Sequence, residues 1–124
     1  MDIIISNSSQ KPIYEQITSQ IKNLIASGVL KEGDALPSMR LLARELRISV
    51  ITTKRAYEDL ERDGFIETVM GKGSYVAGQN VELLREQQLR MAERHLQSAV
   101  EVAKSSGITL SELTEILTLL YEEE

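Results

Sequence analysis

Residues 36–76, LPSMRLLARELRISVITTKRAYEDLERDGFIETVMGKGSYV, contain the pattern that decides the fold. The Pro-Ser pair near its start is suited to open a helix, with Ser38 as the cap or a first-turn residue. Residues 47–49 are too few for anything but a turn, and Ser49 is suited to cap a second helix. Gly64 suits the left-handed position that closes a helix, so we expect the second helix to end there. This segment predicts two helices joined by a tight turn.

A β-hairpin is predicted directly after the second helix. Residues 65–68 and 74–76 have the composition of short strands, and the turn between them, residues 70–73, contains two glycines. The apolar positions that we expect to face a common core are Leu41, Leu42, Ala43 and Leu46 in the first helix and Ala56, Tyr57 and Leu60 in the second. Helix, turn, helix and hairpin make a winged helix-turn-helix, so the predicted fold is mainly α with a small β wing.

The excess of basic residues in this stretch lies at the start of the first helix and in the first turns of the second. Five of them, against the single acid Glu45, give residues 37–57 a net charge of +4 in a chain whose overall charge is −5. Duplex DNA is densely negative, so a protein that binds it needs cations and helix N-termini on one surface. In the hairpin, Gly71 and Gly73 allow the backbone to approach a duplex closely, and Lys72 can reach a phosphate or the minor groove. The local charge predicts double-stranded DNA as the partner.

The charge balance divides the chain into two predicted domains. Residues 1–78 hold ten basic and ten acidic residues, whereas residues 79–124 hold four basic and nine acidic residues. The chain has no cysteine, which excludes disulfides and thiolate zinc sites. No apolar run approaches the ~20 residues that span a bilayer, and the N-terminus lacks a signal-peptide pattern. We therefore expect a cytoplasmic protein with no membrane partner.

The first third of the chain is predicted to be scaffold. Three consecutive isoleucines before Ser6 indicate a short strand that pairs with the wing, with an unstructured tail as the alternative. Pro12 suits the first position of a helix that runs to about Ser27 and is closed by Gly28. Its apolar stripe, at helical spacing, is Ile13, Ile17, Ile21, Leu24 and Ile25. Residues 30–35 are predicted to be a linker.

Two helices are predicted after the boundary at residues 78–80. Asn80 suits the cap of a long helix over residues 81–105, and Thr109 with Glu112 forms a capping box for a last helix through Tyr121. The long helix has a narrow apolar seam with small residues, Leu89, Ala92, Leu96, Ala99 and Ala103; the last helix has Leu110, Leu113, Ile116, Leu117 and Leu120. Two such stripes can fold back on the first domain or pair with a second chain.

Many spaced motifs of the first domain resemble the GntR family of bacterial transcription regulators. They are residues 12–17, 33–34, 36–38, 40, 42–43, 52–57, 60, 64 and 71–73. The short C-terminal part is similar in length and helical character to that of the YtrA-like subfamily.

The resemblance implies a sequence-specific transcription regulator that acts as a homodimeric repressor. Two-fold symmetry would place its recognition helices on the half-sites of a pseudo-palindromic operator. The expected DNA-contacting residues are Ser38, Arg40, Ser49, Val50, Thr52, Thr53, Lys54, Arg55, Gly71, Lys72 and Gly73. The expected dimerisation residues are Leu89, Ala92, Leu96, Ala99, Ala103, Leu113, Leu117 and Leu120.

The start of the second helix departs from the family pattern, which often has arginine or another polar residue there. Val50 or Ile51 could contact a thymine methyl instead of bonding a guanine, or Ile51 could pack under the turn. Arg55 has an alternative partner in Asp59, four residues on.

Other function classes find less support. The sequence from Gly71 to Ser74 lacks the spacing and context of a phosphate-binding loop, and the lone His95 has no chelating or catalytic partners nearby. We therefore predict no enzyme activity, no metal and no cofactor. The rival reading is a winged-helix adaptor that binds proteins rather than DNA. An unidentified small-molecule effector could bind between the C-terminal helices and the winged domain.

Overall fold

A computed structural model describes residues 1–78 and 81–123 of the chain, apart from the side chain of residue 81. The elements are α1 (Ile13–Ala26), α2 (Met39–Leu46), α3 (Val50–Arg62), β1 (Ile66–Val69), β2 (Gly73–Val76), α4 (Val81–Ser106) and α5 (Leu110–Glu122). The prediction of a mainly α fold with a small β wing is confirmed. The predicted cap Asn80 lies outside the described residues. In the part of the chain that is described, no helix is both long and apolar enough to cross a membrane.

The chain forms two compact units, Met1–Glu86 and Gln87–Glu124. The sequence suggested a boundary at residue 78, but Leu84, near the start of α4, is buried in the first unit's core. The first unit therefore includes the opening turns of that helix. Its core consists of Ile3, Ile17, Ile21, Ile25, Leu36, Leu42, Ala56, Tyr57, Leu60, Phe65, Ile66, Val76 and Leu84.

In the first unit, α1 and α2 both pack against α3. On α1 the predicted stripe faces this core, and Pro12 is the N-cap, one position earlier than expected. On α2 the prediction was wrong for Leu41, which is exposed, whereas Met39 packs against the core. The inward stripe of α2 is Met39, Leu42, Ala43 and Leu46, at helical spacing, and Leu41 lies outside it.

The N-terminal isoleucines do not form the predicted strand. The side-chain amide of Gln20 instead accepts from Ile4 N (2.9 Å) and donates to Ile4 O (2.7 Å), and Gln16 bonds Ser6 in the same way. Ile3 is buried in the core. The segment therefore lies against α1, whose glutamines supply the hydrogen bonds that a neighbouring strand would otherwise provide.

The free edge of the wing is paired by the predicted linker instead. Leu36 N donates to Ser74 O and Val76 N donates to Asp34 O, both at 2.9 Å. The hairpin is antiparallel, with Ile66 opposite Val76. β1 begins and ends one residue later than predicted, and β2 begins one residue earlier than predicted. Because residues 33–36 occupy the outer edge of β2, no position is left there for the N-terminal isoleucines.

In the second unit, α4 continues into a turn and α5. The predicted capping box is present: Glu112 N donates to Thr109 Oγ1 (3.1 Å) and Thr109 N donates to Glu112 Oε1 (3.2 Å). No described residue of α5 is buried. The apolar face of this helix is therefore open in the single chain.

Candidate nucleic-acid interface

Side-chain caps fix the start of each helix in the helix-turn-helix. Ser38 Oγ accepts from Leu41 N, and Ser49 Oγ accepts from Thr52 N, both at 3.1 Å. Each bond satisfies one backbone N–H that the first helical turn leaves without a partner. The predicted caps are confirmed, and they define where the N-termini of α2 and α3 lie.

Tyr57 holds α3 against the start of α2. Its hydroxyl donates to the carbonyl oxygen of Pro37 at 2.7 Å, and its ring is in the core. Burial raises the pKa of this phenol well above its ordinary value, because the anion would lose its hydration. The neutral hydroxyl thus acts as a fixed donor across the motif.

The turn between the helices contains a strained residue. Arg47 has a φ of 57°, in the left-handed region, and is the C-cap of α2. Ile48 N donates to Ala43 O at 3.0 Å and its side chain packs against the core. The predicted turn at residues 47–49 is confirmed, with an arginine where glycine would have no steric cost.

Four residues share the outward face of α3: Ile51, Lys54, Arg55 and Glu58 are exposed at helical spacing. The inward face consists of Thr53, Ala56, Tyr57 and Leu60. The prediction that Thr53 contacts DNA is therefore wrong. Its side chain is fully buried and its hydroxyl donates to Ser49 O at 3.2 Å, because residue 53 has the spacing of the buried stripe.

The first turn of α3 presents an apolar surface to solvent. Ile51 is 81% exposed and Val50 is 46% exposed, so Ile51 does not pack under the turn. The neighbouring hydroxyls of Ser49 and Thr52 hydrogen-bond each other at 2.8 Å. The polar groups of this turn are thus used in the cap, while the aliphatic groups point away from the core.

The two cations on the outward face have different partners. Lys54 Nζ lies 3.7 Å from Glu58 Oε1, as an exposed pair one turn apart. The guanidinium of Arg55 stacks over the ring of Tyr14 on α1, 3.7 Å from its centroid. The alternative pairing of Arg55 with Asp59 is not formed, because Asp59 bonds Arg62 at 3.0 Å.

Tyr14 was missed as a site residue by reasoning from the sequence. It lies beside the apolar stripe of α1, and its contact with Arg55 crosses between two helices that are distant in sequence. No local pattern points to such a pair. A stacked guanidinium keeps its in-plane N–H donors available, so the contact orients Arg55 without occupying its hydrogen-bonding edge.

The remaining predicted cations are exposed. Arg40 lies in the first turn of α2, and Lys72 lies between Gly71 and Gly73 at the tip of the wing. Among residues 1–78 and 81–123, no carboxylate is within ion-pair distance of Arg40, Arg55 or Lys72. Both wing glycines have positive φ, 78° and 112°, which lets the tip turn tightly.

The described residues contain no group of three His, Cys, Asp or Glu side chains that could hold a metal ion. The surface around the first turns of α3 combines cations, helix N-termini and aliphatic side chains, and Glu58 is also on the outward face of this helix. Such a combination suits a polyanion with apolar groups among its edges better than a small polar substrate.

The predicted dimerisation residues fall into two groups. Most are exposed or half-buried and line or flank an apolar groove of about 310 Å³ between α4 and α5, whose walls include Leu96, Leu113 and Leu117. Ala103 is already buried within its own chain, close to the turn that leads to α5, where Ile108 N donates to its carbonyl. The prediction that Ala103 belongs to an intermolecular seam is therefore wrong.

Comparison with known proteins gives a consistent result. The family model described as "Bacterial regulatory proteins, gntR family" matches residues 13–76. The HTH-type transcriptional repressor YtrA of Bacillus subtilis is 39% identical over 113 residues, which is 91% of this chain and 87% of that protein.

Solved structures agree with this match. A GntR family transcriptional regulator from Listeria monocytogenes has a TM-score of 0.65 at 30% identity, covering 97% of this chain and 100% of that one. AraR(DBD) in complex with operator ORR3 has a TM-score of 0.53 at 25% identity, covering 62% of this chain and 93% of that one.

Proposed function

The chain belongs to the GntR family of bacterial regulatory proteins, and from this we propose that it is a transcription repressor that binds an operator in double-stranded DNA as a homodimer. The repressor sign rests on the similarity to Bacillus subtilis YtrA, and the DNA partner on the similarity to AraR(DBD) with its operator. A regulator acts where the chromosome is, so the cytoplasmic location belongs to the same proposal.

One observation supports this function above the others. The outward face of α3 begins next to a capped N-terminus and exposes two cations, Lys54 and Arg55. A recognition helix enters the major groove with its first turns, where Val50, Ile51, Thr52 and Lys54 lie. We assign Arg40, Lys54, Arg55 and Lys72 to phosphates, and Val50, Ile51 and Thr52 to base edges.

The two capping serines, Ser38 and Ser49, remain in the proposed interface with a restricted role. Their hydroxyl oxygens already accept from the backbone. They therefore bring the helix N-termini towards phosphates, where the helix dipole favours an anion. At the wing, the backbone at Gly71 and Gly73 is proposed to lie along the minor groove.

The first experiment compares binding to the gene's own upstream DNA with binding to an unrelated duplex across a salt series. We expect tighter binding to the upstream fragment, with two footprinted half-sites about 34 Å or a multiple apart. Lys54→Gln removes one phosphate contact from each protomer, so it should weaken binding and reduce the salt slope of the dimer by about 1.8. Absence of DNA binding at low salt, together with salt-insensitive capture of a protein partner, would replace the repressor with the adaptor reading.

The homodimer is proposed from the open apolar faces of α4 and α5. Leu89, Leu96, Leu117 and Leu120 are exposed in the single chain, and a surface of this kind marks an interaction site in a folded protein. A second copy provides an equally apolar face and the two-fold symmetry that a pseudo-palindromic operator requires.

Substitution of Leu117 tests the dimer. Leu117 lines the groove and is 48% exposed, whereas Leu119 is 65% exposed and lies outside the groove lining. Leu117→Glu should give a monomer in sedimentation and weaken operator binding, because a buried unpaired carboxylate opposes association. Leu119→Glu is the matched control and should remain dimeric. Equal sedimentation of the two variants and the unchanged protein as monomers would reject the proposed dimer.

The last part of the proposal is a small-molecule effector. The groove between α4 and α5 has the size of a small-ligand site, and it is apolar, so a small apolar compound is the class that it would accept. An environment-sensitive apolar dye, added to the dimer, decides between two occupants. Bright dye fluorescence that an added compound quenches while releasing operator DNA would support an effector. A dark dimer would show that the second copy fills the groove.

A further inference from the structure

The first turn of α3 carries an exposed aliphatic surface beside two cations. Ile51 is 81% exposed and shares its face with Lys54 and Arg55. An isoleucine so exposed gains nothing from the fold, because its methyl groups remain in water in the free protein. This surface suits a ligand that places an apolar group against Ile51 and negative charges near Lys54 and Arg55.

Hydrogen-bond readout by the first turn is restricted. Ser49 and Thr52 bond each other at 2.8 Å, Ser49 Oγ also accepts from Thr52 N, and Thr53 is buried. The Ser49–Thr52 pair therefore has one hydroxyl hydrogen left to donate to a base. The other exposed side chains of this turn, Val50 and Ile51, can neither donate nor accept. Contact with an apolar group is therefore the main readout that these two side chains give the turn.

The major groove offers one apolar group, the 5-methyl of thymine, beside the donors and acceptors of the bases. We propose that Ile51, with Val50 beside it, reads thymine 5-methyl groups in the operator half-site. This inference rests on the proposed DNA-binding function and adds the base that the tip of α3 selects. A protein partner is less suitable, since the cations that flank Ile51 would have to be buried with it.

The inference is tested by removing the methyl group from the DNA alone. The operator is first obtained by selection of random-sequence duplexes with the full-length protein. Each thymine of the selected half-site is then replaced singly by deoxyuridine, which pairs identically and lacks only the 5-methyl. We expect affinity to fall by about threefold to fivefold at one or two positions, the scale of one buried methyl group.

Ile51→Ala completes a double-mutant cycle with the deoxyuridine duplexes. The variant should bind the thymine and deoxyuridine operators equally, because the contact between Ile51 and the methyl group is no longer made. Val29→Ala is the control, because Val29 is an exposed aliphatic residue (66%) outside α2 and α3. Thermal melting checks that both variants fold.

The outcomes separate this inference from the function on which it rests. Specific operator binding that is indifferent to every deoxyuridine overturns the methyl readout and leaves the regulator in place. Continued discrimination by a variant that carries both Val50→Ala and Ile51→Ala moves the methyl contact to another residue and also overturns it. Failure to select any duplex over random sequence overturns the proposed function and this inference together.

Discussion

The stacked pair of Arg55 and Tyr14 gives a quantitative prediction about phosphate binding. The guanidinium lies 3.7 Å from the ring centroid, and no described carboxylate is within ion-pair distance of it. Arg55 is therefore a charge that the fold orients but does not neutralise. On DNA, we expect it to hold one phosphate in each protomer.

The magnitude follows from counterion release. Each neutralised phosphate contributes about 0.9 to the slope of log affinity against log salt concentration. Arg55→Gln removes one contact from each protomer, so the slope of a dimer should become shallower by about 1.8. Arg62→Gln is the matched control: it removes the same charge from the same helix, but Arg62 is already bonded to Asp59 at 3.0 Å.

Variants of Tyr14 separate the orientation of Arg55 from its charge. Tyr14→Phe keeps the ring and should leave operator affinity unchanged. Tyr14→Leu keeps the aliphatic bulk but removes the ring face, and should weaken binding by about twofold to fivefold, the equivalent of an exposed cation–π contact. Fluorescence anisotropy measures operator affinity and its salt slope between roughly 50 and 200 mM salt, the range over which phosphate contacts change the affinity strongly.

Two results would refute this reasoning. A slope for Arg55→Gln that matches the Arg62→Gln slope would show that Arg55 does not reach a phosphate. Equal loss of affinity in Tyr14→Phe and Tyr14→Leu would show that the hydroxyl, rather than the ring face, matters.

Three further predictions concern the frame of the helix-turn-helix. Tyr57→Phe removes the donor to Pro37 and should lower the free energy of unfolding by about 1–2 kcal/mol near neutral pH. Because burial raises the folded-state pKa of Tyr57, its contribution to the free energy of unfolding is complete below about pH 10 and is lost above it, by up to about 1.4 kcal/mol per pH unit. Urea unfolding from pH 8 to 11 should show the difference in stability between Tyr57→Phe and the unchanged protein narrowing. A constant difference would contradict the assignment. Ser49→Ala should cost about 1 kcal/mol and Ser49→Asn much less, measured by thermal melting, and equal losses would exclude the cap as the cause. Arg47→Gly should raise stability by about 1 kcal/mol by relieving the left-handed backbone, and an unchanged melting temperature would contradict this strain.

Local chemistry explains what could be predicted from the sequence. The caps Ser38, Ser49 and Thr109 each accept from a backbone N–H three residues on, so their spacing alone identifies them. The buried stripe of α3 follows from helical periodicity. That periodicity also places Thr53 inward, yet its polar side chain and its position near the expected interface favoured an outward assignment. Its hydroxyl is satisfied by the backbone of Ser49, which makes burial cheap.

Long-range pairing explains what could not be predicted. The edge of β2 could be covered by residues 33–36 or by the N-terminal isoleucines, and residues 33–36 cover it. The sequence of either segment alone does not show which of the two lies closer to β2. The stack of Arg55 on Tyr14 depends on how α1 lies against α3. The burial of Ala103 likewise depends on the local fold of the second unit. These are properties of packing between elements, which periodicity within one element does not specify.

The pair of Lys54 and Glu58 has a consequence for how the protein would search a chromosome. Its atoms are 3.7 Å apart and both side chains are well exposed, 63% and 59%, so the bond is worth at most about 1 kcal/mol. A phosphate that captures Lys54 must displace Glu58, whose carboxylate then faces the polyanion without its partner. On an arbitrary sequence, where no base contact offsets this repulsion, residence should be brief. Glu58 would thus shorten non-specific binding and leave more of the protein free to reach its operator.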